Sequence, residues 1–473
     1  MPPIRRTKIV VTLGPATGEA AVIDELVRVG VDCFRLNFSH GSQDDHAERL
    51  EHVRTAQRAH GRPIAVLADL QGPKLRIGVL EEPRTLEVGD DVTIAGRGDA
   101  EPGDLELGFP INLAAHVRPG LDVAINDGAV RLKVTALDGK RVRCVVEVPG
   151  VVTSQKGVNL PGAYLPLASI TEDDKDNLEF ALDHDVDYVA QSFVRRPEDV
   201  HELRALIAER PDTRARIIAK IEKAEAIEHL ESIVEATDGL MVARGDLGVE
   251  IGAHDVPLAQ KRIIRLGREA GKPVITATQM LESMIERPEP TRAEASDVAN
   301  AILDGTSAVM LSGETAVGAY PIQAVQTMVR IAGAVEPSLR YLDTGYELSR
   351  LGSRYIADVV GHAACDMAET LGVACIVVPT VTGESAREVS KHRPSRIIVA
   401  ASAAPGVLQQ LALEWGVVGI PLDEAGGLEQ LWSAAADAVA RAGLAGPGDR
   451  IVITSGTTVN RPGSTNTIMV HTI

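Results

Sequence analysis

The chain has 473 residues, 45% of them hydrophobic and 24% charged, which is the composition of a globular protein with room for two or three domains. Its formal net charge of −18 argues against nucleic acid or an anionic membrane as a partner, because both bind basic surfaces. The four cysteines form no CxxC pair, and no apolar run is long enough for a membrane span or a signal peptide, so we expect reduced thiols and a cytoplasmic location.

Short apolar runs typical of β-strands alternate with helical patterns along the chain. Eight such runs are Lys8–Gly14, Asp32–Gly41, Pro63–Gly72, Val186–Phe193, Arg216–Glu222, Gly239–Asp246, Pro273–Met280 and Ser307–Glu314. Eight strand-then-helix units predict a parallel (β/α)8 TIM barrel of the α/β class. A doubly wound open sheet is the alternative that this pattern leaves open.

The rhythm changes between the third and fourth runs, where short, turn-rich β segments appear. The stretches 126–128 (Asn-Asp-Gly) and 137–139 (Leu-Asp-Gly) are hairpin signals, and Thr171 with Asp174 predicts a capping box where the helical pattern resumes. We therefore expect an all-β domain inserted after the third barrel strand. After Pro337, helices separate four further apolar runs, which predicts a C-terminal α/β domain. The expected division is barrel at 1–72 and 167–338, inserted domain at 73–166, and C-terminal domain at 339–473.

Polar side chains collect at the ends of the apolar runs, where parallel barrels carry their active sites. They are Arg35, Asn37, Ser39, Asp69, Lys220, Glu222, Arg244, Asp246, Thr276, Thr278, Ser312 and Glu314. Lys220 and Glu222 are two residues apart, so an extended chain places both on one face.

These residues suggest a site for a metal ion and an anion. Glu222 and Asp246 follow consecutive strands and offer the oxygen ligands that Mg²⁺ prefers. Arg35, Arg76 and Lys220 supply positive charge for a phosphate. The pattern predicts a metal-assisted enzyme acting on an anionic small molecule, while ion pairs that cap barrel loops are the structural alternative for any single residue. The sequence contains neither a Walker A motif nor GxGxxG.

Six longer motifs closely resemble those of pyruvate kinases, and the resemblance runs from about Lys8 to the C-terminus. They are Arg35–Gly41 (RLNFSHG), Val158–Gly162 (VNLPG), Met241–Glu250 (MVARGDLGVE), Ala277–Met284 (ATQMLESM), Pro290–Ala301 (PTRAEASDVANA) and Met310–Pro321 (MLSGETAVGAYP). The resemblance implies a glycolytic enzyme that transfers phosphate from phosphoenolpyruvate to ADP, giving pyruvate and ATP. It also implies a requirement for Mg²⁺, with Mn²⁺ as a substitute, and a homotetramer.

The resemblance further assigns roles to single residues. It implies Mg²⁺ ligands at Glu222 and Asp246, a phosphate ligand at Arg35, carboxylate contacts at Gly245, Asp246 and Thr278, charge stabilisation by Lys220, and nucleotide contacts at Asn37, His40, Arg76 and Lys156. Catalysis would rest on Lys220, Arg35 and Thr278. The inserted domain would then close over the site and exclude water that could accept the phosphate.

One departure from the family pattern concerns K⁺. Members that need K⁺ hold it with residues matching Asn37, Ser39, Asp69 and the backbone oxygen of Leu70. They carry glutamate where this chain has Lys74, and threonine where it has Leu70. We expect the Lys74 ammonium to replace the potassium charge, so that no K⁺ is required; a solvated hinge lysine is the alternative.

The C-terminal stretch 379–390 (PTVTGESAREVS) places small hydroxyls and a glycine before a helix, which suits an anion held by backbone N–H groups. It resembles the effector site of the family, so we expect a phosphorylated allosteric effector. The residues expected to hold it are Thr380, Thr382, Gly383, Ser385, Ser455 and Gly456. An ordinary turn and helix cap is the alternative.

Two other functions stay open from the sequence. A Mg²⁺-dependent barrel lyase acting on pyruvate or oxaloacetate enolates would share Glu222, Asp246 and Arg35 but would not need Arg76 or Lys156. A non-catalytic metabolite sensor would be expected to lose Lys220, Thr278 or a metal ligand, and the chain retains all of them.

Overall fold

Eight parallel strands close into a barrel in the computed structural model, which describes residues 4–339, 355–458 and 461–473. The barrel strands, in order, are Lys8–Thr12, Cys33–Asn37, Ala65–Asp69, Tyr188–Gln191, Arg216–Ile221, Gly239–Ala243, Val274–Ala277 and Ala308–Leu311. Each pairs with its neighbours in sequence order, and the first pairs with the eighth through Lys8 and Ala308. The closed barrel confirms the predicted TIM architecture and excludes the open doubly wound sheet. We call the C-terminal ends of these strands the rim.

Helices surround the barrel and return the chain to the start of the next strand. They are Ala20–Val29, Gln43–His60, Glu172–Asp183, Pro197–Ala208, Ala224–Glu228, Leu230–Ala236, Arg244–Ile251, Val256–Glu269, Arg292–Leu303, Gly313–Ala316 and Pro321–Val335, with 3-10 turns at Glu282–Ile285 and Glu336–Ser338. The predicted capping box is present: Asp174 N donates to Thr171 Oγ1 at 3.1 Å, and Thr171 N donates to Asp174 Oδ2 at 2.9 Å. These bonds satisfy amides that the first helical turn leaves free.

Strand alternation divides the barrel core into two layers. In the second strand Cys33 points to the interior, whereas Phe34 and Leu36 pack outward against the helices. The interior layer also contains Leu413 of the C-terminal domain, so that domain closes the end of the barrel opposite the rim. The rim lies at the other end, where the C-terminal ends of the strands carry the polar side chains of the site.

The segment between the third barrel strand and residue 172 forms a separate β structure with its own buried core. Its strands are Arg84–Leu86, Asp91–Ala95, Leu105–Glu106, Asp122–Ile125, Val130–Asp138, Arg141–Val148, Gly150–Val152 and Val158–Asn159, and a 3-10 turn lies at Leu113–Ala115. Asn126 and Asp127 adopt φ values of 55° and 53° in the turn before strand Val130–Asp138. This geometry matches the tight turns that join antiparallel strands, and it confirms the first hairpin prediction. The Leu137–Gly139 hairpin is confirmed as well.

The C-terminal domain is a five-stranded sheet flanked by helices. Its strands are Cys375–Pro379, Ile397–Ser402, Val417–Pro421, Arg450–Gly456 and Thr465–Thr472, and its helices are Ile356–Leu371, Glu384–Lys391, Pro405–Leu411 and Leu428–Arg441. The first four strands agree with the predicted runs. The fifth, Thr465–Thr472, pairs antiparallel with the fourth and was not predicted, because its polar and apolar residues give no continuous apolar run. Residues 340–354, within the expected span 339–473, lie outside the described residues.

Two buried hydrogen bonds join the C-terminal domain to the closed end of the barrel. Lys8 Nζ donates to the carbonyl of Val417 at 2.7 Å, and the Tyr188 hydroxyl donates to the carbonyl of Gln410 at 2.9 Å. Burial lowers the pKa of Lys8 to about 8, although Asp32 acts in the opposite direction.

All four cysteines are buried free thiols, as expected. No helix in the described part of the chain is both long and apolar enough to cross a bilayer.

Candidate active site

Three strand ends meet at the ammonium of Lys220. Lys220 Nζ lies 3.1 Å from Asp69 Oδ1, which ends the third strand, and 3.1 Å from Glu222 Oε1 on its own strand. It also donates to the hydroxyl of Ser192, just after the fourth strand, at 2.6 Å. The side chains of Lys220 and Glu222 therefore share one face, as the two-residue spacing predicts.

Both carboxylate oxygens of Asp69 are occupied by cations of the chain. Arg35 Nε donates to Asp69 Oδ2 at 2.6 Å, and Lys220 lies at the other oxygen. Burial alone would raise the pKa of Asp69, but Lys220 and Arg35 outweigh it and lower that pKa below its ordinary value. Arg35 also donates to Thr12 Oγ1 at 3.0 Å, so its guanidinium is fixed at the mouth of the barrel.

The charge states at the rim follow from the same contacts. Burial would lower the pKa of Lys220, but Asp69 and Glu222 more than offset it and raise that pKa. Lys220 therefore carries a positive charge at neutral pH. Burial raises the pKa of Glu222, and the nearby Asp246 carboxylate acts in the same direction against Lys220.

Asp246 and Gly245 lie in the first turn of helix Arg244–Ile251, which begins directly after the sixth strand. The Gly245 amide donates to Thr278 Oγ1 at 2.8 Å. Thr278 follows the seventh strand with a φ of 67°, which is rare for a β-branched residue and is often found at functional sites. A helix N-terminus beside a hydroxyl is a favourable environment for an anionic group.

Lys74 reaches this site from the start of the inserted domain. Its Nζ lies 2.9 Å from Asp246 Oδ1 and 3.4 Å from Asp127 Oδ1. Burial would lower the pKa of Lys74, but these two carboxylates more than offset it and raise that pKa, so the ammonium is charged. Among the described residues, Lys74 forms ion pairs with these two carboxylates and none with Asp69.

The predicted cation group Asn37, Ser39, Asp69 and Leu70 is brought together at the ends of the second and third strands. Asn37 Oδ1 accepts from the Ser39 amide at 3.2 Å, and the Leu70 carbonyl accepts from Ser192 Oγ at 2.7 Å. Lys74 thus lies beside the expected metal ligand Asp246 instead of pairing with a member of this group. The expectation that the Lys74 ammonium replaces the potassium charge stays a prediction.

The donor set of Glu222 and Asp246 fits a divalent ion. Two carboxylates from consecutive strand ends repel each other, and a divalent cation between them relieves that repulsion. In the part of the chain that the structure describes, no group of three or more His, Cys, Asp or Glu side chains could hold a metal. Two carboxylates with the remaining positions open to water and substrate oxygens is the arrangement typical of Mg²⁺ sites in proteins.

The four residues expected to contact nucleotide lie in two places. Asn37 ends the second strand and the exposed His40 lies on the loop after it, where the His40 carbonyl contacts His46 Nε2 at 3.0 Å. Arg76 and Lys156 are at the base of the inserted domain, on two segments joined by the antiparallel bridge between Arg76 and Gly157. One pair therefore belongs to the barrel and the other to the inserted domain.

Ser192 is a rim residue that the sequence reasoning missed. It accepts a hydrogen bond from Lys220 and donates to the Leu70 carbonyl, so it links the ends of the third, fourth and fifth strands. The signal was available, because Ser192 follows an apolar run in the same way as the other rim residues.

A cavity of about 200 Å³ lies in the C-terminal domain. The predicted effector residues Thr380, Thr382, Ser385, Ser455 and Gly456 line it. Gly383 supports it from the side: its amide donates to Thr380 Oγ1 at 2.9 Å, and its φ is 86°. Arg461 also lines the cavity and was not predicted, and two acidic residues, Asp423 and Glu424, are part of the same wall.

Comparisons with known proteins cover nearly the whole chain. A family model described as "Pyruvate kinase, barrel domain" matches residues 4–325, and one described as "Pyruvate kinase, alpha/beta domain" matches residues 358–471. The chain is 42% identical to a pyruvate kinase of Geobacillus stearothermophilus, over 99% of this chain and 80% of that protein. It is 44% identical to a pyruvate kinase of Agrobacterium vitis, over 98% of this chain and 96% of that protein. A pyruvate kinase of Clostridium acetobutylicum is 39% identical, over 99% of this chain and 100% of that protein.

Proposed function

Because this chain belongs to the pyruvate kinase family, it is a phosphotransferase, and we propose that its rim transfers the phosphoryl group of phosphoenolpyruvate to ADP. The observation that carries the residue assignment is the meeting of Asp69, Ser192 and Glu222 at Lys220 Nζ, each within 3.1 Å. A fixed, desolvated ammonium at this place can stabilise negative charge without reorganisation during the reaction.

Substrate binding would use the three anion-binding features of the rim. The Arg35 guanidinium binds the phosphate of phosphoenolpyruvate, and the amides of Gly245 and Asp246 at the helix N-terminus receive its carboxylate. The Gly245 amide donates to Thr278 Oγ1 at 2.8 Å in the present structure, so carboxylate binding would replace or share that bond. Thr278 would then lie next to the bound substrate.

Lys220 would act on charge that appears only in the transition state. As the bond from the phosphoryl group to the enol oxygen breaks, negative charge grows on that oxygen and on the phosphoryl oxygens in flight. Lys220 is positioned to neutralise both, which lowers the barrier more than it strengthens substrate binding. The enolate then takes a proton and becomes pyruvate, and ADP becomes ATP.

Glu222 and Asp246 would hold the divalent metal, Mg²⁺ with Mn²⁺ as a substitute. Such an ion would supply positive charge against the negative charge of the substrate. Arg76 and Lys156 would contact the nucleotide phosphates from the inserted domain, and Asn37 and His40 would do so from the barrel. The inserted domain, residues 73–166, would close over the site and keep water from the phosphoryl group.

We further propose that catalysis needs no K⁺. The Lys74 ammonium is charged and 2.9 Å from Asp246, so it already provides a monovalent positive charge next to the substrate site. Asp69, one of the expected K⁺ ligands, already has Lys220 and Arg35 as cationic partners in this structure. Ser39 and Leu70 would then keep a structural role at the strand ends, and Asn37 would keep its nucleotide contact.

The cavity in the C-terminal domain would bind a phosphorylated effector. Small hydroxyls, the Gly383 turn and Arg461 suit a phosphate, and helix Glu384–Lys391 begins beside them. Regulation through this cavity and a cytoplasmic homotetramer are proposals that rest on family membership.

An assay of pyruvate release with and without ADP tests the reaction. We expect pyruvate to form from phosphoenolpyruvate only when both ADP and a divalent metal are present, with one ATP per pyruvate. Pyruvate release from oxaloacetate without ADP would instead favour the barrel lyase, which shares Glu222, Asp246 and Arg35 but has no use for a nucleotide.

A further inference from the structure

Phe193 follows the fourth barrel strand in an unusual backbone conformation. Its φ is 57°, in the left-handed region, and its side chain is 8% exposed. A non-glycine residue in this region costs about 1–2 kcal/mol, so the surrounding structure must hold it there. This strained conformation bears on the site because it directs the Phe193 amide at Glu222.

The Phe193 amide donates to Glu222 Oε2 at 2.7 Å, while Glu222 Oε1 faces Lys220 Nζ at 3.1 Å. Each oxygen of the carboxylate therefore has one fixed partner, and the plane of the group is set. A charged acceptor makes this amide bond one of the stronger kinds. Phe193 makes this bond from its left-handed conformation, and Glu222 itself is 2% exposed.

The ring of Phe193 is held by cations and by close packing. Lys223 Nζ lies 5.8 Å from the ring centroid and Lys74 Nζ lies 6.0 Å from it, both within the range of cation–π attraction. On another side the ring lies against Gly72, where an added Cβ would come 3.0 Å from Phe193 Cδ2. Lys223 is itself fixed by Glu250, 2.6 Å from its Nζ.

We propose that Phe193 is a positioning residue for the metal site: its ring, held by the nearby Lys74 and Lys223 ammonium groups and by packing on Gly72, keeps its amide on Glu222 and so presets that carboxylate for a divalent cation. The inference rests on the proposed role of Glu222 as a metal ligand. Groups that orient a metal ligand typically change metal affinity by about 10- to 100-fold when removed.

The test measures Mn²⁺ binding to the full-length protein by titration calorimetry, without substrate. We expect Phe193→Leu, which keeps apolar volume but loses the ring, to raise the Kd for Mn²⁺ by about tenfold or more. Phe193→Gly, which relieves the strain but loses the anchor, should do the same and serves if the leucine variant folds poorly. Phe193→Tyr keeps the ring face, and a cavity of about 80 Å³ beside it can take the hydroxyl. Its Kd should stay within about twofold of wild type.

Phe180→Leu is the matched control, because Phe180 is a partly buried aromatic residue of the outer helix Glu172–Asp183. It should alter thermal stability without changing the Kd for Mn²⁺. In kinetics, Phe193→Leu should raise the Mg²⁺ concentration for half-maximal rate and recover most of kcat at saturating Mg²⁺, which a loss of folded protein would not do.

Glu222→Gln separates this inference from the site assignment on which it rests. If Glu222→Gln weakens Mn²⁺ binding and both Phe193→Leu and Phe193→Gly leave it unchanged, the inference is wrong and the assignment of Glu222 stands. If Glu222→Gln itself leaves Mn²⁺ binding unchanged, Glu222 is not a ligand, and both the assignment and the inference are wrong.

Discussion

The ammonium of Lys74 lies 2.9 Å from Oδ1 of Asp246, which joins the base of the inserted domain to a carboxylate of the barrel rim. A permanent positive charge therefore stands beside the site where an anionic substrate and a metal would bind. The Lys74 charge therefore bears on the K⁺ requirement and on metal binding at Asp246.

Lys74 should make the enzyme independent of K⁺. We expect wild type to have the same rate in choline chloride and in KCl, and Lys74→Glu to lose at least about tenfold in kcat/KM in choline chloride, equivalent to about 1.4 kcal/mol. KCl should restore part of that rate, because the site would then lack a cation. Lys140→Glu, an exposed charge reversal in the same domain, is the control. A wild-type rate that falls in choline chloride and returns with KCl would contradict the proposal.

Asp246 should bind the metal, whereas Asp127, the second partner of Lys74, should not. Asp246→Asn is expected to raise the Mg²⁺ concentration for half-maximal rate by at least about 10- to 100-fold, because an amide cannot replace a carboxylate charge. The Asp127 carboxylate also lies close to Lys74, at 3.4 Å from its Nζ. Asp127→Asn should leave the Mg²⁺ concentration for half-maximal rate nearly unchanged. Equal effects of the two substitutions would show that the charge around Lys74, and not ligation, matters.

The cavity of the C-terminal domain should bind a phosphorylated activator. Thr382→Asp places a carboxylate in the cavity wall and should abolish activation by sugar phosphates or AMP through charge repulsion, without lowering the rate at saturating phosphoenolpyruvate. Ser433→Asp, on the exposed side of helix Leu428–Arg441, should leave activation intact. Titration of the rate at low phosphoenolpyruvate measures both. If no sugar phosphate or nucleotide changes the wild-type rate, the effector proposal fails.

The junction between barrel and C-terminal domain should become more stable in mild alkali because of Lys8. Its folded-state pKa of about 8 is below the ordinary value near 10.4, so above pH 8 the unfolded chain binds the proton that the folded chain has lost. From pH 7.5 to 9.5, wild type should therefore gain about 2 kcal/mol relative to Lys8→Met, at about 1.4 kcal/mol per pH unit above the folded pKa.

Trp415 can report that junction, because the Arg6 and Arg393 guanidinium groups lie 5.3 Å and 4.8 Å from its ring. Urea unfolding followed by its fluorescence, at the two pH values, gives the stability difference between wild type and Lys8→Met. A difference that stays constant between pH 7.5 and 9.5 would mean that Lys8 is charged throughout that range.

Much of the fold could be predicted because barrel strands are recognisable in the sequence as apolar runs with polar ends. Once the barrel closes, the ends must meet, so Asp69, Lys220 and Glu222 were correctly expected at one rim from their positions alone. The last strand, Thr465–Thr472, could not be found this way, because a half-exposed edge strand needs no continuous apolar run.

Features that depend on tertiary packing were not visible in the sequence. The positive φ of Thr278 and Phe193 opposes the local preference of both residues and is imposed by neighbouring strand ends. The partners of Lys74 depend on the orientation of the inserted domain relative to the barrel. No sequence pattern predicts that orientation. The identity of the site residues was therefore easier to predict than their backbone conformations and ion-pair partners.

The most direct test of the account is the rate of ADP-dependent pyruvate formation by wild type and by Lys220→Met, which removes the charge and keeps most of the side-chain length. With phosphoenolpyruvate binding measured in parallel, we expect kcat to fall by at least about 10²–10³-fold while the Kd for phosphoenolpyruvate changes little, because the charge acts in the transition state. A Lys220→Met enzyme that keeps near wild-type kcat, or that loses only its affinity for phosphoenolpyruvate, would contradict the central role given to Lys220.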